Sequence, residues 1–208
     1  MKYFFLLISV IIFPVVASSQ CNYSYGKWDT SLTSMPACRS SSSALTYKDT
    51  VYTIGGISNL NPLEYASDVD IYLPATDTWE TGISEIPFPR GCPNACLIEH
   101  KIYVFGGVHI IDGNPVMFDS LHIYNTQSNS WERGPCLPVE MSYYAADTLQ
   151  GKIYVAGGGG SGYSMFNSLY EYDPGLDEWT EKASMGRSRW GTFARSWKGK
   201  LYVFGGYA

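Results

Sequence analysis

The chain is predicted to be all-β and assembled from a repeated four-stranded unit. Three observations carry that prediction. The phrase Val51-Tyr52-Thr53-Ile54-Gly55-Gly56 returns as Ile102-Tyr103-Val104-Phe105-Gly106-Gly107, as Ile153-Tyr154-Val155-Ala156-Gly157-Gly158 and as Leu201-Tyr202-Val203-Phe204-Gly205-Gly206, with first glycines 51, 51 and 48 residues apart. Tryptophans keep the same beat at Trp28, Trp79, Trp131 and Trp179. No helical periodicity of useful length follows the N-terminal leader, and aromatic residues (15%) nearly equal charged ones (16%), as suits many short strands packing flat faces together. A period near 50 residues marks a repeat architecture.

Residues 1–19 stand outside the repeats and read as a signal peptide. Lys2 precedes an apolar run from Tyr3 to Val16, and Ala17-Ser18-Ser19 supplies small residues where a signal peptidase cuts, so cleavage after Ser19 is expected. No later segment approaches the ~20 apolar residues of a spanning helix. The product is therefore expected to be secreted or extracytoplasmic (extracellular, periplasmic or cell-surface), with no membrane span once the leader is removed. Basic residues number 14 against 19 acidic, a formal charge of −5, which argues against a nucleic-acid partner. Cys21, Cys38, Cys92, Cys96 and Cys136 would enter an oxidising compartment, where some are expected to form a disulfide bond and an odd thiol remains.

Each glycine pair closes a β-branched and aromatic run such as Lys101-Ile102-Tyr103-Val104-Phe105, the pattern of a buried strand. The glycines permit positive φ and close approach of a neighbouring chain. A shorter strand precedes each run, for example Asn94-Ala95-Cys96-Leu97-Ile98. After each glycine pair comes an alternating strand: Asp70-Ile71-Tyr72, His122-Ile123-Tyr124 or Tyr170-Glu171-Tyr172. Seven residues past its tyrosine stands the tryptophan, with turn residues between: Pro74-Ala75-Thr76-Asp77, Asn125-Thr126-Gln127-Ser128-Asn129 and Asp173-Pro174-Gly175-Leu176-Asp177. These two strands form a hairpin. Four antiparallel strands per period cannot bury both faces alone, so the units must stack, and four-stranded sheets repeated around an axis make a β-propeller.

On these marks, a hydrophobic run ending in Gly-Gly followed by a spaced tyrosine and tryptophan in a repeat of about 50 residues, the chain resembles the kelch-repeat family over roughly residues 21–208. The resemblance implies a kelch-type β-propeller of four-stranded antiparallel blades, incomplete in this chain. The propeller is expected over 20–208: an outer strand around Trp28, three complete repeats over about 37–182 and a partial blade over 187–208. It also implies structural roles for Gly55, Gly56, Tyr72, Trp79, Gly106, Gly107, Tyr124, Trp131, Gly157, Gly158, Tyr172, Trp179, Gly205 and Gly206, with the tryptophans packed between blades. Trp28 lacks strands ahead of it and Leu201-Tyr202-Val203-Phe204 lacks strands after it. The expectation is a fragment of a longer propeller, with an open edge prone to aggregation.

Arg39, Arg90 and Arg189 each stand sixteen residues before a first glycine, where the third repeat has Met141. In the family this segment enters the innermost strand on the binding face. The arginines either point to the central cavity, where a guanidinium suits a carboxylate, or bond carbonyls and acidic neighbours at the strand ends. The connections Ile57 to Ala66, Val108 to Phe118 and Gly159 to Phe166 are the other binding candidates, since loops on a rigid scaffold carry function. His100, His109 and His122 show no metal-ligand spacing, Asp68 and Asp70 reach a cation only with help from elsewhere, and no catalytic constellation or cofactor is indicated. Asn22-Tyr23-Ser24 is a glycosylation sequon, relevant in a eukaryotic secretory pathway.

The function expected is a secreted, non-catalytic kelch-repeat module binding a protein or glycan through propeller loops. The alternative is an exported sugar-active kelch enzyme resembling a sialic acid mutarotase. A copper oxidase of this fold needs a cysteine–tyrosine crosslink and two histidines, a pattern the three scattered histidines do not supply. A cytosolic ubiquitin-ligase adaptor is disfavoured because the leader runs straight into the first strand.

Overall fold

A computed structural model describes residues 29–208, of which Thr33–Ala208 form one compact unit. The leader and the strand expected around Trp28 lie outside the described residues, as do Cys21 and the sequon. The first repeat comprises β1 (Ser43–Tyr47), β2 (Thr50–Ile54), β3 (Ile57–Leu60), β4 (Leu63–Tyr65), β5 (Asp68–Leu73) and β6 (Thr78–Glu85). The second comprises β7 (Asn94–Ile98), β8 (Lys101–Phe105), β9 (Val108–Ile111), β10 (Asn114–Met117), β11 (Leu121–Asn125) and β12 (Ser130–Arg133). The third has β13 (Ala145–Leu149), β14 (Lys152–Ala156), a 3-10 turn at Ser161–Tyr163, β15 (Leu169–Asp173) and β16 (Glu178–Lys182). β17 (Trp190–Trp197) and β18 (Lys200–Tyr207) follow.

Three antiparallel sheets of four strands result, ordered β1-β2-β5-β6, β7-β8-β11-β12 and β13-β14-β15-β16, with β17-β18 as a two-stranded sheet. β1, β7, β13 and β17 neighbour one another in turn, so the first strand of each sheet lies innermost. This is the radial arrangement of propeller blades.

Stacking the blades creates two cores. Tyr52, Ile54, Val69 and Ile86 of the first blade meet Ile102, Val104 and Tyr124 of the second, with Trp131 against them. Tyr103, Phe105, Leu121 and Ile123 meet Leu137, Met141, Tyr144, Ile153, Val155, Tyr170 and Tyr172 of the third, with Trp179 against them. Strand β8 thus sends Ile102 and Val104 to one side and Tyr103 and Phe105 to the other. Burial on both faces is why its sequence is apolar throughout rather than alternating.

The glycine pairs join blade to blade. The second glycine of each donates its N–H across the interface: Gly56 to Arg90 O (2.9 Å), Gly107 to Met141 O (3.1 Å) and Gly158 to Arg189 O (2.9 Å). Gly106 and Gly107 take φ of +57° and +102°. A Cβ on Gly107 would lie 2.9 Å from Gly91 O, and one on Gly106 would overlap the Tyr144 hydroxyl and approach Met141 O to 2.8 Å. Only glycine offers both the backbone angle and the close approach.

The Tyr…Trp spacing has an equally physical cause. Tyr72, Tyr124 and Tyr172 donate their hydroxyls to Asp77 (2.6 Å), Asn129 (2.9 Å) and Asp177 (2.7 Å), residues with φ of 50–55° in the β5–β6, β11–β12 and β15–β16 turns. Asp and Asn tolerate that angle best among residues with a Cβ. The tyrosine and tryptophan rings face each other at 5.0–5.1 Å. Each indole N–H bonds backward along the chain, Trp79 to Thr33 O, Trp131 to Ser84 Oγ and Trp179 to Pro135 O. Trp179 also packs edge-on against Phe105 of the preceding blade.

Candidate functional site

At one end of the blades the segment entering each innermost strand runs beside the connection that follows the glycine pair. Ser40 bridges Ile57, Gly91 bridges Val108 and Ser142 bridges Gly159, extending the β1–β2, β7–β8 and β13–β14 pairings past the glycines. The connections are more ordered than the sequence suggests. Ile57–Tyr65 folds as the hairpin β3–β4 and Val108–Met117 as β9–β10, while the third carries the 3-10 turn and a Gly159–Met165 bridge. The Asp112-Gly113 pair between Ile111 and Asn114, with φ of 50° and 77°, is the turn signal that marks β9–β10 in the sequence. The hairpins are tied together: Ile110 N–H donates to Tyr65 Oη (3.1 Å), Tyr65 faces His109 at 4.2 Å, and β10 lies beside the 161–163 turn.

The three arginines sit at equivalent places, each bonded within its own blade. Arg39 reaches Asp68 O, the Asp68 carboxylate (3.1 Å) and the Asp70 carboxylate (2.5 Å). Arg189 Nη1 donates to Gly205 O (2.8 Å). Arg90 has no measurable exposure and donates to Phe88 O (3.1 Å), Gly106 O (3.0 Å), Ser120 Oγ (3.0 Å) and His122 Nδ1 (3.4 Å), beneath the Phe118 ring. Asp68 and Asp70 thus find their cation in Arg39, while the second blade offers Arg90 only a hydroxyl and an imidazole at the matching positions. Burial lowers the Arg90 pKa to about 10, and burial together with Arg90 and Arg133 lowers that of His122 to about 4. His122 is therefore neutral, able to accept from Arg90.

Two positions after Arg39, Arg90, Met141 and Arg189, the residues Ser41, Cys92, Tyr143 and Gly191 all take left-handed φ (55°, 51°, 57° and 69°). Cys92 N–H donates to Ser41 O (2.9 Å) and Gly191 N–H to Tyr143 O (2.6 Å), linking neighbouring blades at their inner edge. Burial raises the Cys92 pKa against hydrogen bonds from Tyr143, Ser41 and Ser142, and burial followed by Cys92 raises Tyr143 to about 12. Both groups stay protonated at neutral pH and act as hydrogen-bonding polar groups.

Outward from this frame the connections present aliphatic tips: Leu60 (74% exposed), Leu63, Ile110, Ile111 (51%), Val116 and Met165. Among the described residues no group of three or more His, Cys, Asp and Glu side chains converges, and no helix is long and apolar enough to cross a membrane. The four described cysteines, Cys38, Cys92, Cys96 and Cys136, are unpaired.

Radial four-stranded blades, joined by glycine pairs and carrying exposed connections at one end, define a β-propeller scaffold. A family model described as the KLHDC2/KLHL20/DRC7 kelch-repeats domain matches residues 19–158 and again 94–208, and the chain belongs to the kelch-repeat family. An F-box/kelch-repeat protein of Arabidopsis thaliana is 37% identical over 53% of this chain and 29% of its own length. Beta-scruin of Limulus polyphemus is 27% identical over 75% of this chain and 18% of its own length. A kelch-repeat and BTB-domain protein of cowpox virus is 27% identical over 92% of this chain and 33% of its own length. The chain spans a third or less of these relatives.

Proposed function

We propose that this chain is the propeller portion of a secreted or otherwise extracytoplasmic, non-catalytic binding protein whose partner is another protein. The partner meets the end bearing the β3–β4 hairpin, the β9–β10 hairpin and the 161–163 turn. The observation that carries the reading is the set of exposed aliphatic side chains on three successive connections, each fixed by internal hydrogen bonds. Loops on a rigid scaffold lose little entropy on binding. The six exposed tips on the connections are aliphatic, which favours a protein surface over a glycan, whose rings stack on flat aromatic faces, although Phe88 and Tyr143 expose rings on the adjoining segments. Kelch repeats typically mediate protein–protein interaction, and the matched relatives share these repeats. In this reading Arg39, Arg90 and Arg189 hold the connections in place. Export rests on the leader over residues 1–19.

A photo-crosslinking residue at Leu60 or Ile111, with one at Leu176 in the β15–β16 turn as comparison, tests the face. Crosslinks to one protein from the first two sites, reproduced with that protein purified, support it. Equal yield from Leu176 removes it. N-terminal sequencing of the product outside the cell tests export: a start at Gln20 is expected, and a product retained inside with Met1 rules it out.

A further inference from the structure

We infer that the end bearing the post-glycine connections docks a protein segment that alternates aliphatic with cationic side chains. This rests on the reading above that this end is the binding face. Single exposed apolar residues are ordinary on a protein surface, but a group held on adjacent connections, two of them hydrogen-bonded to each other, marks an interaction site. Leu60 and Leu63 belong to one hairpin, Ile110, Ile111 and Val116 to the next, and Met165 to the third connection. The bond from Ile110 N–H to Tyr65 fixes the first two hairpins relative to one another before any partner arrives, and β10 lies beside the 161–163 turn.

Charge selects the occupant. In residues 57–66, 108–117 and 159–166 the carboxylates Glu64 and Asp112 are accompanied by no lysine or arginine. Both are exposed, and neither has an ion pair among the described residues. Arg39 and Arg90, the basic residues of the segments entering the first two blades, have buried side chains, whereas Arg187 and Arg189 adjoin the third connection, which carries no carboxylate. The hairpins therefore offer apolar tips with uncompensated negative charge. A second copy would bring its own Glu64 and Asp112 onto the same carboxylates, and an anionic lipid surface would be repelled likewise. A segment carrying Lys or Arg beside Leu, Ile or Val satisfies both features.

Selection of random dodecapeptides displayed on phage against the purified full chain tests this. Selected peptides are expected to combine aliphatic residues with a net positive charge. The double variant Ile110→Ser/Ile111→Ser is expected to weaken them more than about tenfold, because central apolar contacts dominate such interfaces. Glu64→Gln/Asp112→Asn is expected to weaken them about three- to tenfold and to flatten their salt dependence, since exposed charges act through a screened field. All four positions are exposed, and an unchanged thermal midpoint verifies folding of each variant. Peptides lost with Ile110→Ser/Ile111→Ser but acidic or uncharged overturn the cationic inference while leaving the binding face intact. Peptides indifferent to both variants bind elsewhere and overturn both. Failure to select any peptide, or co-sedimentation of the chain with phosphatidylserine vesicles that Ile110→Ser/Ile111→Ser abolishes, also overturns the inference.

Discussion

Replacing Gly106 by alanine isolates the physics of the glycine pair, because Gly113 supplies an internal control. Both residues have left-handed φ, +57° and +77°. A Cβ on Gly113 meets nothing within 4 Å, so Gly113→Ala incurs only the backbone term, about 1–2 kcal/mol, reduced by about 0.4–1 kcal/mol through the stiffer unfolded chain. A Cβ on Gly106 overlaps the Tyr144 hydroxyl and lies 2.7 Å from Tyr144 Cε1 and 2.8 Å from Met141 O. Tyr144 is buried and donates to Phe105 O at 2.5 Å, so it cannot swing away without giving up that bond. Overpacking adds about 1–3 kcal/mol and the broken buried bond about 1–3 kcal/mol. Gly106→Ala is therefore expected to cost about 2–8 kcal/mol against the roughly 5–15 kcal/mol typical of a whole fold. Urea unfolding followed by tryptophan fluorescence measures both variants. If Gly106→Ala is too unstable to measure alone, Gly106→Ala/Tyr144→Phe removes the nearest overlapping atom and is expected to regain part of the loss. Equal stability of Gly106→Ala and Gly113→Ala, or no recovery in the double variant, would show that the close approach at the blade interface is not what requires glycine.

The buried Arg90–His122 contact predicts a pH dependence. The folded pKa of His122, about 4, lies below the unfolded value near 6.5, so its neutral form stabilises the fold above pH 6.5 and that contribution fades as pH falls toward 4. The loss is roughly 3 kcal/mol across that window and is expected to be absent in His122→Gln, as read by denaturant titration at successive pH values. Asp70→Asn takes the closest carboxylate from the buried Arg39 side chain, which keeps the half-exposed Asp68, and is expected to cost about 1.5–3 kcal/mol, whereas Glu132→Gln, which removes the exposed Lys101 pair, costs less than about 1 kcal/mol. Comparable losses in the two variants would contradict the burial argument. Cys38 is expected to react with a thiol reagent before Cys96, which is buried with its pKa raised by burial; labelling Cys96 at the rate of Cys38 would contradict the packing of the core between the second and third blades.

The strands were legible because their causes are local. Lys101–Phe105 and Asn94–Ile98 coincide with β8 and β7, since two-sided burial writes itself as a continuous apolar run bounded by turn residues. The hairpins β3–β4 and β9–β10 carry no strand signature in the sequence beyond the Asp112-Gly113 turn, because Leu60, Ile110 and Ile111 face outward and supply no core-facing alternation. Spacing marks the arginine positions and leaves two roles open, the central cavity or carbonyls and acidic neighbours at the strand ends; the side chains take the second, on Asp68 and Asp70, Gly106 O and Gly205 O. What recurs there in space is the main-chain carbonyl of Arg90, Met141 or Arg189 receiving a glycine N–H from the preceding blade, and a main-chain acceptor leaves no mark on residue identity. This is why Met141 occupies the position without breaking the repeat.

The same distinction separates scaffold from specificity. Where the repeats agree, as in the glycine N–H bonds, the tyrosine hydroxyls on the turns and the indole bonds, the contact ties one blade to itself or to its neighbour. Where they disagree, the chemistry changes, and in the third connection the backbone changes with it. The carboxylates Asp68 and Asp70 give way to Ser120 and His122, and a hairpin ending in leucines gives way to one ending in isoleucines and then to a turn lacking a paired hairpin. A ring contact that serves folding must recur with the period, because every blade interface poses the same packing problem. A contact that serves a partner has no reason to recur, since one ligand does not repeat every 50 residues. Under the proposed binding face, departures from the period at the exposed end, at Leu60, Glu64, Ile110, Ile111 and Asp112, would select the partner.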